Sequence, residues 1–283
     1  MSTTAKIPQP LKWHGGKAYL AKKIIDLLPP RDGERPWHLW REPFFGGGSV
    51  TLQLDPEGLS EAVNDADHLL MDFWTTLQVN FEEFQRRVSL VPFSEDSFLF
   101  GKLTTDLLSG GGRGFEVIDR AVFFFIACRQ SRQGLRRDFA TPTRRTRRGM
   151  NENVSAWLSA IEGLPEVHDR LKRIEIRNMP ADAFIAKYDD PEAVFYCDPP
   201  YLHETRSTGG GDYRHEMTDM EHELLLHCLS RIKGRFLLSG YRSDLYDDFA
   251  RSLNWRRVDF AIDNKASGKK TKEIKTECVW MNY

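Results

Sequence analysis

The sequence predicts an α/β protein whose sheet-forming pattern is interrupted by a long helical insertion. Three observations carry this expectation. Short apolar runs rich in β-branched and aromatic residues alternate with helical periodicity toward both ends of the 283-residue chain. One such run, Ala193 to Cys197, stops at Asp198-Pro199-Pro200-Tyr201, where two prolines end strand pairing and hold the backbone extended. Between Phe81 and about Ile161 the strand-then-helix rhythm lapses. The expected organisation is a sheet domain built from residues 1–80 and 166–283, with an inserted segment at 81–165. A chain of this length exceeds the usual size of one domain, which fits a large domain carrying a smaller one.

Each element follows from local signals. Leu20 to Leu28 has helical spacing and ends at Pro29-Pro30. It follows Leu11-Lys12-Trp13-His14-Gly15-Gly16-Lys17. Those glycines and the lysine lack the spacing of a phosphate-binding loop, and Lys17 precedes Ala18 rather than Ser or Thr. His38 to Pro43 is strand-like and runs into Phe44-Phe45-Gly46-Gly47-Gly48-Ser49-Val50. Glycines between a strand and a helix start let backbone N–H groups approach a ligand closely. Thr51 stands where a dinucleotide fingerprint needs its third glycine, which argues against a nicotinamide or flavin enzyme.

Glu61 to Asp65 reads as a short strand ending in an acid. It lies roughly 20 residues past the glycines, the separation at which an acid meets a ribose hydroxyl in nucleotide-binding units. The alternative is that Asp65 caps the following helix, Ala66 to Val79. Within the insertion, Ser109 to Gly112 is a loop and Val117 to Cys128 an apolar, buried helix. Asn153 to Leu171 is an amphipathic helix broken near Gly163-Leu164-Pro165, and Arg173 to Ile176 is a strand. Past the Asp-Pro-Pro-Tyr turn, the polar, glycine-rich stretch Thr205 to His215 has the profile of a loop closing over substrate. Met220 to Ile232 and Asp244 to Leu253 are helical, and Arg235 to Gly240 is a strand. Trp255 to Asp263 and Glu277 to Tyr283 form two strands around a loop bearing Lys265, Lys269, Lys270, Lys272 and Lys275. Such lysines serve solubility or contact phosphates.

Composition bounds the function. With 40% hydrophobic and 29% charged residues the chain has an ordinary soluble make-up. No stretch approaches the roughly 20 apolar residues of a membrane span, and Met1 to Pro10 lacks the apolar centre of a signal peptide. Cysteines at 128, 197, 228 and 278 form no CxxC pair and no zinc spacing. Four reduced thiols, no metal site and a cytoplasmic location are expected. The net charge of −1 conceals an asymmetry. Eight arginines (129, 132, 136, 137, 144, 145, 147 and 148) against Asp138 give +7 over twenty residues, and the rest of the chain carries −8. A concentrated basic stretch on an acidic body is the footprint of a polyanion site.

The turn at 198–201 offers a carboxylate, a rigid carbonyl and an aromatic face at the carboxyl end of a strand, where ligands of α/β sheets bind. That set suits a planar base bearing an exocyclic amine. The amine's lone pair is delocalised into the ring, so hydrogen bonds from its protons to Asp198 and the Pro199 carbonyl would localise the pair and stabilise the charge developing on nitrogen. Tyr201 would stack on a base that has left the duplex. Cys197 precedes the acid and by strand alternation points away from it, which excludes a cytosine carbon-5 nucleophile.

Asp198-Pro199-Pro200-Tyr201 resembles the motif of enzymes that methylate adenine N6 with S-adenosylmethionine. Lys12-Trp13-His14-Gly15-Gly16-Lys17 is similar to an N-terminal cofactor-binding segment of that family, with Trp13 and Lys17 at the matching positions. Pro43 to Ser49 resembles its Pro-Phe-x-Gly-x-Gly-Ser cofactor loop, which makes Phe45, Gly46 and Gly48 candidate cofactor ligands. Together with Asp65 and the basic insertion, the order resembles the Dam-like, class alpha DNA adenine-N6 methyltransferases over nearly the whole chain. The resemblance implies a Rossmann-like methyltransferase sheet, an inserted, mostly helical target-recognition domain, and S-adenosylmethionine as cofactor. It also implies methyl transfer to adenine N6 in double-stranded DNA, with Asp65 holding the cofactor ribose and Asp198 serving both cofactor and catalysis. Gln133 to Arg137 and Phe139 to Pro142 resemble the family's DNA-contacting hairpin region, so Arg129, Arg132, Arg136, Arg137, Arg144 and Lys270 are candidate DNA contacts. Cytosine-N4, RNA-base or protein-glutamine methylation stays open as an alternative, as does a non-catalytic DNA-binding module. A restriction endonuclease partner, unlinked or absent, is likewise open.

Overall fold

Backbone hydrogen bonding sorts the chain into helices and strands close to those expected. This holds in the computed structural model, which describes residues 7–112, 114–202, 217–263 and 274–283. Two compact units emerge, one of Met1–Leu28, Phe45–Glu57 and Asp67–Asn178, the other of Pro29–Phe44, Gly58–Ala66 and Met179–Tyr283. The first is mainly helical and the second holds a sheet. Thr205 to His215, together with Lys265, Lys269, Lys270 and Lys272, lies outside the described residues, and the side chain of Lys275 is not described.

The helical unit contains α1 (Ala21–Ile25), α2 (His68–Val79), α3 (Phe81–Ser89), α4 (Glu95–Ser109), α5 (Val117–Gln130), α6 (Glu152–Glu162) and α7 (Leu164–Leu171). Helix α5 is its centre. Its run of phenylalanines is apolar nearly all round because neighbours cover it on several sides. Phe125 stacks on Phe73 of α2 at 5.8 Å, meets Phe84 of α3 edge-on at 5.6 Å and touches Trp157 of α6 at 5.4 Å. Truncating a ring so enclosed costs about 3–5 kcal/mol. Caps fix the ends: the Asp67 carboxylate accepts from the N–H groups of Leu69 and Leu70, and Ser94 Oγ accepts from that of Ser97. Gly163 separates α6 from α7, and Pro165 sits in the first turn of α7, where its missing N–H is no loss. Helix α1 is shorter than Leu20 to Leu28 because Leu27 and Leu28 donate to Ile24 and Ile25, three residues back, tightening its last turn. The short strands Thr146–Arg147 and Met150–Asn151 pair antiparallel, and Ile174–Arg177 is also a strand.

The sheet unit contains β1 (Leu39–Glu42), β2 (Ser60–Asn64), β3 (Ala193–Cys197), β4 (Arg235–Tyr241), β5 (Arg256–Asp263) and β6 (Ile274–Met281). They run in the order β2-β1-β3-β4-β6-β5. The first four are parallel, with Arg41 opposite Phe195 and Cys197 opposite Leu238. Strand β6 is antiparallel to β4 and β5, which sets Tyr241 beside Glu277. Helices α8 (Ala181–Tyr188), α9 (Asp219–Leu229) and α10 (Asp244–Ser252) complete the unit. All five residues of β3 are buried, as the continuous apolar run of a central parallel strand requires. One face buries Phe195, Cys197, Leu226, Phe236, Leu238 and Trp280 together. Tyr196 alternates to the other face and stacks on Trp40 at 6.3 Å. No described helix is long and apolar enough to cross a membrane.

Candidate active site

Parallel strands bring their carboxyl ends to one edge of the sheet, and Asp198 follows the last residue of β3 there. Asp198 is half-buried and Pro199 buried. Tyr201 is 8% exposed, and its hydroxyl donates to the Glu277 carboxylate and, at 3.4 Å, to Asp198 Oδ1. The Tyr201 ring meets Tyr241 edge-on at 4.6 Å. The ring is therefore held at its tip and along its edge. Burial, then the nearby Asp198 and Glu277 carboxylates, push the Tyr201 phenol well above its ordinary range, so it remains a donor.

Glu277 and Tyr241 are the site neighbours that sequence reasoning missed. Glu277 is only 1% exposed, in strand β6 directly ahead of the buried run Cys278–Met281. A lone acid in such a strand needs a buried partner, and that is the signal that could have found it. Cys197 lies on the opposite face, in the core. Burial pushes its thiol well up, as befits a packing residue rather than a nucleophile.

Asp65 follows β2, two strands from β3 along the same edge, at a spacing of roughly 10 Å. Its alternative role as a cap falls to Asp67. The preceding Asn64 is buried and ties this edge together. Its Nδ2 donates to the carbonyls of Pro43 and Met179 at 3.1 and 3.0 Å, and its Oδ1 accepts from Met179 N at 3.0 Å.

In the helical unit the glycine loop is built around Trp13. Gly46 and Gly48 have φ of +50° and +68°, open to glycine at little cost. A Cβ at Gly46 would stand 2.6 Å from Trp13 Nε1, and one at Gly47 would stand 2.7 Å from Trp13 Cβ. Phe45 is buried against Trp74 at 4.9 Å, and Trp74 Nε1 donates to the Gly46 carbonyl at 3.0 Å. Lys17 is 4% exposed and its Nζ donates to Gly15 O at 3.1 Å. The structure thus brings Trp13 and Gly46 into contact, and Asp198 and Tyr201 into contact.

A family model described as D12 class N6 adenine-specific DNA methyltransferase matches residues 13–260. The chain belongs to this family. It is 24% identical over 277 residues to the Type II methyltransferase M1.LlaDCHI of Lactococcus lactis subsp. cremoris, covering 96% of this chain and 94% of that protein. It is 23% identical over 292 residues to the Type II methyltransferase M.MjaIII of Methanocaldococcus jannaschii, covering 96% and 98%. The mixed, mainly parallel sheet is consistent with a methyltransferase fold. Membership decides between the readings left open above: the activity of this D12-class enzyme is site-specific methylation of adenine N6 in DNA, not of cytosine, RNA or protein.

In this D12-class methyltransferase the arginines of the basic segment divide by their surroundings. Ser131 bridges Phe139, Arg132 N donates to Asp138 O, and Ala140 N donates to Gln130 O, closing a hairpin-like loop. Arg132, Arg137 and Arg144 are exposed. Arg129 instead donates to the Ala156 carbonyl at 2.6 Å, and burial lowers its guanidinium to about 10. Burial, then the charge of Arg129, lowers the Lys12 ammonium to about 8. Arg136 lies over the rings of Phe124 and Trp13. Arg148 pairs with Glu162 at 2.8 Å.

Proposed function

We propose that the methyl donor is S-adenosylmethionine and that the target adenine is rotated out of duplex DNA to meet the turn at Asp198–Tyr201. The observation that carries this reading is the anchoring of Tyr201 beside Asp198 at the end of β3, next to a carbonyl made rigid by two prolines. Asp198 and the Pro199 carbonyl accept the two protons of the N6 amine and draw its lone pair out of the ring. The Tyr201 ring stacks on the base, and Pro200 keeps the turn extended. Bound S-adenosylmethionine supplies an electrophilic methyl group, and the chain's task is to align it with the amine. Trp13, Lys17, Phe45, Gly46, Gly48, Asp65 and Asp198 are its proposed ligands. Residues 81–165 act as the target-recognition segment, with Arg132, Arg137 and Arg144 toward phosphates, and residues 1–80 and 166–283 as the catalytic part. The Type II designation of the relatives fits a restriction-modification setting.

Asp198→Ala should abolish transfer of labelled methyl groups from S-adenosylmethionine to duplex DNA while leaving DNA affinity largely intact. Nucleoside analysis of wild-type product should show N6-methyladenine. Retained transfer in the variant would remove Asp198 from the mechanism.

A further inference from the structure

Arg136 stands in the basic run, yet its guanidinium does not face outward. It lies 5.0 Å from the centroid of Phe124 and 5.9 Å from that of Trp13, two rings themselves 6.3 Å apart. Its Nη1 is buried with no hydrogen-bond partner among the described residues. A phosphate contact would need those donors at the surface. The loop that carries it is fixed in place. Gly134 has φ of +75°, and a Cβ there would overlap the Lys12 carbonyl, so the loop is pressed against the residue preceding Trp13. Trp13 in turn leaves no room for a side chain at Gly46 or Gly47. One packed series therefore runs from Phe124 through Arg136 and Trp13 to the glycine loop.

We propose that Arg136 is a positioning residue for the cofactor loop rather than a DNA contact. Its planar cation clamps the Trp13 indole against Gly46 and Gly47, so that cofactor affinity depends on a residue of the recognition segment. This rests on Trp13 and the glycine loop being S-adenosylmethionine ligands. A guanidinium over an aromatic face is a flat, weakly hydrated partner, and a lysine ammonium in its place is a compact, strongly hydrated charge. Lysine would serve a phosphate nearly as well but would not reproduce the stack.

The test uses the full chain as wild type, Arg136→Lys and Arg136→Met. Calorimetry measures S-adenosylmethionine binding without DNA, and anisotropy measures duplex binding across a salt series. Both variants should bind the cofactor about tenfold more weakly, the size of a partly desolvated cation–π contact. Their salt slopes should match that of wild type. Unchanged cofactor affinity, with a slope shallower by about 0.9 in Arg136→Met and restored in Arg136→Lys, would make Arg136 a phosphate contact and overturn the proposal. Arg136→Lys keeps the aliphatic stem over both rings, so the comparison stands if Arg136→Met is unstable. If wild type itself fails to bind the cofactor, the assignment of its ligands falls as well. If wild type binds and both variants bind equally, the role of Arg136 alone is refuted.

Discussion

Replacing Tyr201 by phenylalanine separates what its ring does from what its hydroxyl does. The substitution deletes the donor to Glu277 and Asp198 and leaves the ring and its edge contact with Tyr241 in place. The bond to Asp198 is long, at 3.4 Å, and contributes little. The bond to the buried Glu277 carboxylate is charge-assisted, and losing such a bond costs about 1.5–3 kcal/mol. At about 2–4 °C per kcal/mol for a chain of this size, Tm should fall by about 3–12 °C. A double-mutant cycle with Glu277→Gln should return a coupling of about 1–2 kcal/mol. Methyl transfer should be hit less than stability. The ring remains to stack on the base, so kcat for Tyr201→Phe should fall by less than about tenfold. Tyr201→Ala removes a stacking face worth about 1–3 kcal/mol per base and should lose more. Scanning calorimetry and steady-state methyl transfer measure both effects. An unchanged Tm with zero coupling would show that the hydroxyl does not anchor the turn. A phenylalanine variant as inactive as the alanine variant would show that the hydroxyl, not the ring, is what the reaction needs.

Two further outcomes follow from the same unit that holds Trp13. Gly134→Ala places a Cβ on the Lys12 carbonyl at a φ of +75°, so it should destabilise the protein by about 2 kcal/mol or more in urea unfolding and weaken duplex binding; wild-type values in both would mean that the loop is not pressed against Lys12. Lys12→Met should raise stability near pH 7 by about 1–3 kcal/mol, discounted for the partial exposure of the side chain. The folded state holds this lysine at about 8 against an ordinary 10.5, so between those values the unfolded chain binds more protons. Wild-type stability should therefore rise relative to the variant across that window, closing the gap by about pH 10.5. A gap that widens with pH would reverse the sign of the burial argument.

Much of the sheet was legible because its signals are local. Strand β3 is apolar at every position, and the two prolines after it can be read without any partner in view. The glycine loop was legible for a similar reason, since positive φ at Gly46 and Gly48 selects glycine directly. Asp65 and Asp67 show where such reasoning thins out. Two acids stand two residues apart at the end of a strand, and either has the chemistry of a cap. Only the start of α2 at His68, rather than Ala66, gives that role to Asp67. Glu277 was hidden for a different reason: its partner Tyr201 lies 76 residues away and reaches it through the antiparallel register of β4 and β6. Nothing within a window of ten residues encodes such a pairing.

The basic run misleads a charge count because arginine is not only a charge. Its long stem packs on apolar surface and its flat head stacks on rings, so a guanidinium can be turned inward where an ammonium is costly to bury. Arg129 donates to a carbonyl of α6, Arg136 lies over two rings, and Arg148, at the surface, pairs with Glu162. Each is placed by a partner that the linear sequence does not put beside it, namely Ala156, Trp13 and Glu162. The formal +7 therefore overstates the charge presented to a phosphate backbone. Arg136 does other work: it lies over Phe124 and Trp13, on the loop that Gly134 presses against Lys12. In the proposed reading Arg132 and Arg137 meet DNA from this loop, and the close approach of Gly134 to Lys12 with Arg136 over Trp13 holds its base in place.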